Sequence, residues 1–85
     1  MGELSGRIAL VTGASRGIGA ATARALAKAG ARVAVTDLVA PEDLAAEIGG
    51  LARAQDVTRE SDWAETADWL RAEAGGLDIL VNNAG

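Results

Sequence analysis

Three glycines, Gly13, Gly17 and Gly19, stand between a short apolar run, Arg7 to Thr12, and a stretch with helical apolar spacing. An acid, Asp37, closes the next apolar run 18 residues after Gly19. This pattern suits phosphate binding. A phosphate needs backbone N–H groups aimed at it and no side chains in the way. Gly13 permits a tight turn, Gly17 lets a pyrophosphate come close, and Gly19 lets a helix pack against the sheet. The N-terminus of that helix adds free N–H donors and positive partial charge. Ser15 and Arg16 bring a hydroxyl and a cation to the same turn. Glycines are common at strand–helix turns, so the triplet alone says little; the flanking strand, helix and acid give it weight. No Lys-Ser or Lys-Thr pair follows the glycines, which disfavours a P-loop for ATP or GTP.

Asp37 lies near the ~20-residue spacing expected of an acid that binds ribose hydroxyls. A carboxylate accepts hydrogen bonds from both hydroxyls of an adenosine ribose and repels a 2′-phosphate. The repulsion is about 4 kcal/mol per unit charge at about 4 Å in a partly wet site, less with solvent screening. Asp37 therefore favours NAD over NADP. Arg16 works the other way, because a cation near the ribose tolerates an extra phosphate. The competing reading of Asp37 is a surface acid that caps the next segment.

The chain contains no His, Tyr, Phe or Cys, and its one lysine is Lys28. The usual general acid–base group, the phenol and the thiol nucleophile are all missing. Chemistry from these residues alone must rest on carboxylates, hydroxyls or a bound cofactor. The net charge of −4 argues against nucleic acid as a partner. No apolar run is long enough to span a membrane. Met1 to Gly6 lacks the basic start and apolar stretch of a signal peptide. Without cysteine there is no disulfide framework or thiolate metal site, and a reducing cytoplasm is the expected compartment.

Elements must hold the glycine turn and the acid in place. Arg7 to Thr12 reads as a buried strand. From Ile18 a helix is expected, with Ile18, Ala21, Thr22, Ala25, Leu26 and Ala29 on its apolar face and Gly30 as its C-terminal cap. Arg32 to Thr36 reads as a second strand ending at Asp37. Pro41 opens a short helix that runs to about Ile48. Leu51 to Gln55 is a weak third strand, followed by Asp56. A long helix spans about Arg59 to Ala74, with Trp63, Thr66, Ala67, Leu70 and Ala74 on one face. Leu77 to Val81 is a fourth strand that leads into Asn82, Asn83, Ala84 and Gly85. The βαβαβαβ order implies an α/β fold with a parallel sheet and right-handed crossovers. The 85 residues make one small domain at most, with marginal stability.

Thr12-Gly13-x-x-x-Gly17-x-Gly19, Asp37, Asp56-Val57 and Asn82-Asn83-Ala84-Gly85, in this order and at these spacings, resemble the short-chain dehydrogenase/reductase family. Leu4 to Gly13 is similar to that family's opening strand. The resemblance covers essentially the whole chain. It implies a partial Rossmann-type doubly wound sheet with strand order 3-2-1-4, an NAD(H) cofactor, and hydride transfer between an alcohol and a carbonyl. It also implies site roles. Asp56 would face the adenine amino group, with the Val57 backbone beside it. Ile18 would touch the middle of the cofactor as well as start the helix core. Asn83, Ala84 and Gly85, with Asn82, would brace the sheet and line the ribose side. Read without the family, Asp56 is a turn or helix N-terminal acid, and Asn-Asn-Ala-Gly is a turn.

The family's chemistry rests on a Ser and a Tyr-x-x-x-Lys pair beyond the Asn-Asn-Ala-Gly segment. This chain has no Tyr, and Lys28 matches no such motif. No catalytic residue is therefore assigned. The expected role is the cofactor-binding half of a longer oxidoreductase, whose full form acts on a small alcohol or carbonyl and assembles as a homo-oligomer. The family order would put the first two helices on one sheet face, the Trp63 helix on the other, and the fourth strand at an open edge. The alternatives are a non-catalytic nucleotide-binding or interaction module and an inert truncated product.

Overall fold

The structure, a computed structural model, describes residues 2–83. Ala84 and Gly85, both assigned to the cofactor site by the resemblance, lie outside the described residues. Four strands, β1 (Ile8–Thr12), β2 (Arg32–Asp37), β3 (Leu51–Ala54) and β4 (Ile79–Asn82), alternate with α1 (Gly17–Lys28), α2 (Glu42–Ile48) and α3 (Glu60–Ala74). The strands form one parallel sheet in the order β3-β2-β1-β4. The expected βαβαβαβ arrangement and strand order are both present.

β1 lies between two neighbours, and its apolar run is buried through Ala9, Leu10 and Val11. Its alternating side chains feed two different layers. Ala9 and Val11 join Val33 and Val35 of β2 under α1 and α2, with Ala20, Ala23, Leu44 and Ala45. Leu10 joins Ala34 and Leu70 on the opposite face, where Leu51, Trp63 and Trp69 pack around them. Burying a Leu or Val side chain stabilises such a layer by about 1.5–3 kcal/mol. The two-layer covering follows from the order: the chain moves outward from β1 through α1 and α2, then returns across the other face through α3 to reach β4.

Several sequence expectations shift. Helix α1 packs through Gly19, Ala20 and Ala23, with Leu26 and Ala27 partly buried. Ile18 is 77% exposed, so it does not start the helix core. Ala21 and Ala25 are also exposed. The face is rotated because the smallest side chains, not the largest, let the helix sit close to the sheet. On α3, Thr66 and Leu70 are buried while Ala67 is exposed and Trp63 is only partly covered. α2 begins at Glu42, with Pro41 in the capping position before it. β4 begins at Ile79, because Asp78 is already fastened to β1: its backbone N–H donates to the Ile8 carbonyl at 2.8 Å, and its carboxylate accepts the Ile8 N–H at 2.9 Å.

Among the described residues β4 pairs only with β1. Leu80 on β4 is half exposed, and Leu77 just before it is also exposed. That is the apolar open edge the strand order predicted. No helix of the described residues is long and apolar enough to cross a membrane.

Candidate functional site

The carboxyl ends of β1, β2 and β4 meet where the chain changes direction across the sheet. In open α/β sheets this crevice is where ligands bind. Thr12 ends β1, Asp37 ends β2 and Asn82 ends β4. The glycine turn crosses the crevice between β1 and α1.

Gly13 (φ +62°) and Gly17 (φ +63°) both adopt the left-handed backbone that side chains disfavour. Between them Ala14 is buried, and its N–H donates to the Thr36 carbonyl of β2 at 3.1 Å. Arg16, extended (φ −162°, ψ 173°), occupies the α1 capping position without a side-chain cap bond. The first N–H groups of α1 therefore carry no side-chain cap. Gly19 is packed where a methyl group would run into the Gly13 carbonyl and lie 2.8 Å from the Asn83 side-chain nitrogen. Only glycine at position 19 lets α1 pack this closely against the turn. Glycine conformation, close helix approach and helix N–H donors without a side-chain cap together fit a pyrophosphate.

Asp37 sits across from that turn. Its carboxylate accepts the Ser15 N–H at 3.1 Å and the Leu38 N–H at 2.8 Å. Burial pushes its carboxyl up, but the Leu38 and Ser15 donors, aided by Arg16 nearby, hold it below the usual carboxylate value. Asp37 is therefore a charged acceptor tied to the phosphate turn rather than to a following helix cap. Beside it, Ser15, Ala40, Pro41, Glu42, Asp43 and Leu44 line an open cleft of about 330 Å³.

The structure gives Asp56 the turn role that its sequence position allowed. Its carboxylate accepts both the backbone N–H (3.0 Å) and the hydroxyl (2.6 Å) of Thr58. These bonds hold the carboxyl below its usual value, against a smaller desolvation penalty. The Asp56 N–H in turn donates to Asp62 on α3 at 2.7 Å. Val57 is fixed by a residue whose spacing suggests only a core role: Trp63 donates its indole N–H to the Val57 carbonyl at 2.9 Å.

The asparagines are bracing residues. Asn82 accepts the Thr12 hydroxyl at 2.8 Å, which ties the ends of β4 and β1 together. Asn83 donates to the Gly13 carbonyl at 3.2 Å, tying the end of β4 to the glycine turn. Three further polar groups were not singled out by the sequence. Asp78 clamps the bottom of β1. Gln55 and Thr36 are buried, and the Gln55 amide and Thr36 hydroxyl have no hydrogen-bond partner among the described residues. Nothing in their spacing marks them, since a buried amide looks like any surface Gln in a sequence.

Residues 7–85 match the short chain dehydrogenase family. The chain belongs to that family. The D-threitol dehydrogenase of Mycolicibacterium smegmatis is 49% identical over 90 residues, covering 98% of this chain and 35% of that protein. The 3-alpha-(or 20-beta)-hydroxysteroid dehydrogenase of Mycobacterium tuberculosis is 42% identical over 88 residues, covering 99% of this chain and 34% of that protein. A solved structure described as ribose-5-phosphate isomerase from Brucella melitensis 16M superposes with a TM-score of 0.92 at 40% identity, covering 98% of this chain and 33% of that one. The chain spans about a third of the length of the curated relatives it matches. The family is one of oxidoreductases that use nicotinamide dinucleotides and small-molecule substrates. In this chain the glycine turn, Asp37 and the β4 asparagines gather at the carboxyl ends of β1, β2 and β4.

Proposed function

We propose that this chain is the cofactor-binding part of an NAD(H)-dependent short-chain dehydrogenase. The longer form would move a hydride between NAD(H) and a small alcohol or carbonyl, as a cytoplasmic homo-oligomer. The observation that carries the reading is the placement of Asp37, a depressed-pKa carboxylate at the end of β2, fastened to Ser15 in the phosphate turn.

When bound, the cofactor supplies the hydride chemistry. The chain's own residues bind and orient it. Gly13, Gly17 and Gly19 admit the pyrophosphate, and Ser15 and Arg16 flank it. Asp37 accepts the ribose hydroxyls and repels a 2′-phosphate. Ile18, 77% exposed at the start of α1, offers an apolar contact to the middle of the dinucleotide. Asp56 and the Val57 backbone meet the adenine edge, and Asn83, Ala84 and Gly85 line the ribose side. These 85 residues hold no Tyr, so none of them is assigned the proton transfer of the longer form.

Calorimetric titration with NAD⁺ and NADP⁺ tests this reading. The chain is expected to bind NAD⁺ more tightly, and Asp37→Ala is expected to narrow that preference. An unchanged affinity ratio in Asp37→Ala would remove Asp37 from cofactor choice. NADH-dependent carbonyl reduction by the purified chain would overturn the assignment of catalysis to other residues.

A further inference from the structure

The loop between β3 and α3 is held from both sides, and the bonds that hold it leave a donor and an acceptor free. Gln55 opens the loop, and its N–H donates to the Asp37 carbonyl at 2.8 Å, so the loop hangs from the residue that ends β2. On the other side, the Asp56 N–H donates to the Asp62 carboxylate at 2.7 Å. The Trp63 indole N–H donates to the Val57 carbonyl at 2.9 Å. One Asp56 oxygen, Oδ1, accepts both the N–H and the hydroxyl of Thr58. Asp56 Oδ2 and the Val57 N–H are left without a hydrogen-bond partner among the described residues. They are an acceptor and a donor on consecutive, half-buried residues.

We infer that Asp62 and Trp63 are positioning residues for the adenine of the cofactor: they set the Asp56–Val57 loop so that Asp56 Oδ2 and the Val57 N–H reach the base together. This rests on the proposed meeting of Asp56 and Val57 with the adenine edge. Adenine presents an amino donor beside a ring-nitrogen acceptor, the complement of that free pair. Two bonds to one rigid base form together only when both protein groups are fixed beforehand, and a short loop is fixed by the contacts behind it. Trp63 suits that task. Its ring packs on the layer of Leu10, Ala34 and Leu70, so its N–H ties the Val57 carbonyl to the sheet itself. Asp62 stands in the first turn of α3 and ties the Asp56 N–H to the helix. Neither side chain acts on the base directly. Freeing either anchor leaves Asp56 and Val57 in the chain but lets their spacing drift.

The test is calorimetric binding of NAD⁺ and of nicotinamide hypoxanthine dinucleotide, in which a carbonyl oxygen replaces the adenine amino group and cannot donate to Asp56. The chain is compared unaltered and as Trp63→Phe, Asp62→Ala and Trp69→Phe, with circular dichroism to confirm that each is folded. Trp63→Phe keeps a ring in the layer and removes the N–H. Trp69 packs against the same layer but holds no part of the loop, so Trp69→Phe is the structural control. The unaltered chain is expected to favour NAD⁺ over the analogue about tenfold. Trp63→Phe and Asp62→Ala should each weaken NAD⁺ about fivefold and the analogue within about twofold, so that the preference collapses, while Trp69→Phe keeps it. Equal weakening of both dinucleotides in the loop variants, or an unchanged preference, overturns the inference. A second reading leaves the loop unaltered. Trp63 and Trp69 are the two tryptophans of the chain, so in Trp69→Phe the remaining indole N–H resonance is that of Trp63. It should shift as NAD⁺ saturates the chain and move less with the analogue; a resonance unmoved by saturating NAD⁺ overturns the inference as well. Equal binding of both dinucleotides by the unaltered chain removes the adenine role of the loop, and this inference, while leaving NAD binding at the glycine turn intact. Failure of the unaltered, folded chain to bind either dinucleotide overturns the cofactor reading and this inference with it.

Discussion

The Asp37 carboxylate and the Ser15 backbone N–H are joined at 3.1 Å across the mouth of the crevice, linking the end of β2 to the turn after β1. One acid thus occupies the position proposed for ribose selection and also ties down the glycine turn. Substitutions at Asp37 will therefore register in stability as well as in cofactor choice.

The stability effect has a defined pH dependence. The folded carboxyl is held below its ordinary value, so the unfolded chain takes up the proton first as pH falls. Asp37 contributes its full stabilisation above the ordinary carboxylate value and loses it as pH drops through the depressed folded value. Urea unfolding of the unaltered chain and Asp37→Asn should therefore show a gap at neutral pH that closes on acidification. A gap that stays constant through the acid range contradicts this.

Two glycine substitutions should fail for different reasons. Gly19→Ala drives a methyl group into the Gly13 carbonyl and the Asn83 amide. It is expected to cost about 1–3 kcal/mol and to weaken dinucleotide binding by displacing the turn. Gly17→Ala meets no neighbour, and its cost of about 1–2 kcal/mol comes from the left-handed backbone alone. Asn83→Ala should relieve part of the Gly19→Ala penalty and none of the Gly17→Ala penalty. Denaturant midpoints of the single and double variants read this out.

Gln55 is only 3% exposed, and neither atom of its amide has a partner among the described residues; the Thr36 hydroxyl is in the same state. An unpartnered buried polar group costs about 1–3 kcal/mol. Gln55→Met keeps the side chain's length and removes both polar atoms, so it should raise stability by about 1 kcal/mol, or roughly 4–8 °C in Tm for a domain this small. Thr36→Val should act in the same direction. A drop in Tm for both would mean the groups are satisfied in solution.

The rotated face of α1 also predicts a contrast. Ile18→Ser should leave stability within about 0.5 kcal/mol, because Ile18 is largely solvent-exposed, yet it should weaken NAD⁺ binding. Ala23→Leu, under the same helix at a fully buried position, should cost about 1–3 kcal/mol. The reverse order in thermal melts would restore Ile18 to the core.

The strands and the turn are legible in the sequence because their signals are local. Val, Ile and Leu runs ending at Gly13 and Asp37 mark the sheet, and the glycines mark the crossing. The phase of α1 is not legible, because alanines surround the helix and the deciding residue, Gly19, contributes no apolar signal. The largest side chains on a helix usually mark its buried face, and here close approach to the sheet reverses that rule. Aromatic bulk suggests a core place for Trp63; its indole N–H, bound to the Val57 carbonyl, keeps it at the edge of the layer. The clamp formed by Asp78 and the burial of Gln55 depend on contacts between distant segments, which no residue spacing encodes.

Asp78 grips Ile8 across 70 residues of chain. The β1–α1–β2 unit can pair as soon as it has been synthesised, but the other side of β1 stays unpaired until β4, some 70 residues on, has appeared. Closing so long a loop is entropically the costliest pairing in this sheet, and long-range pairings are slow to form. Among the described strands β1 therefore gains its second neighbour last, and a nascent chain halted before Asp78 would hold one side of β1 open to a passing chaperone or to another copy of itself.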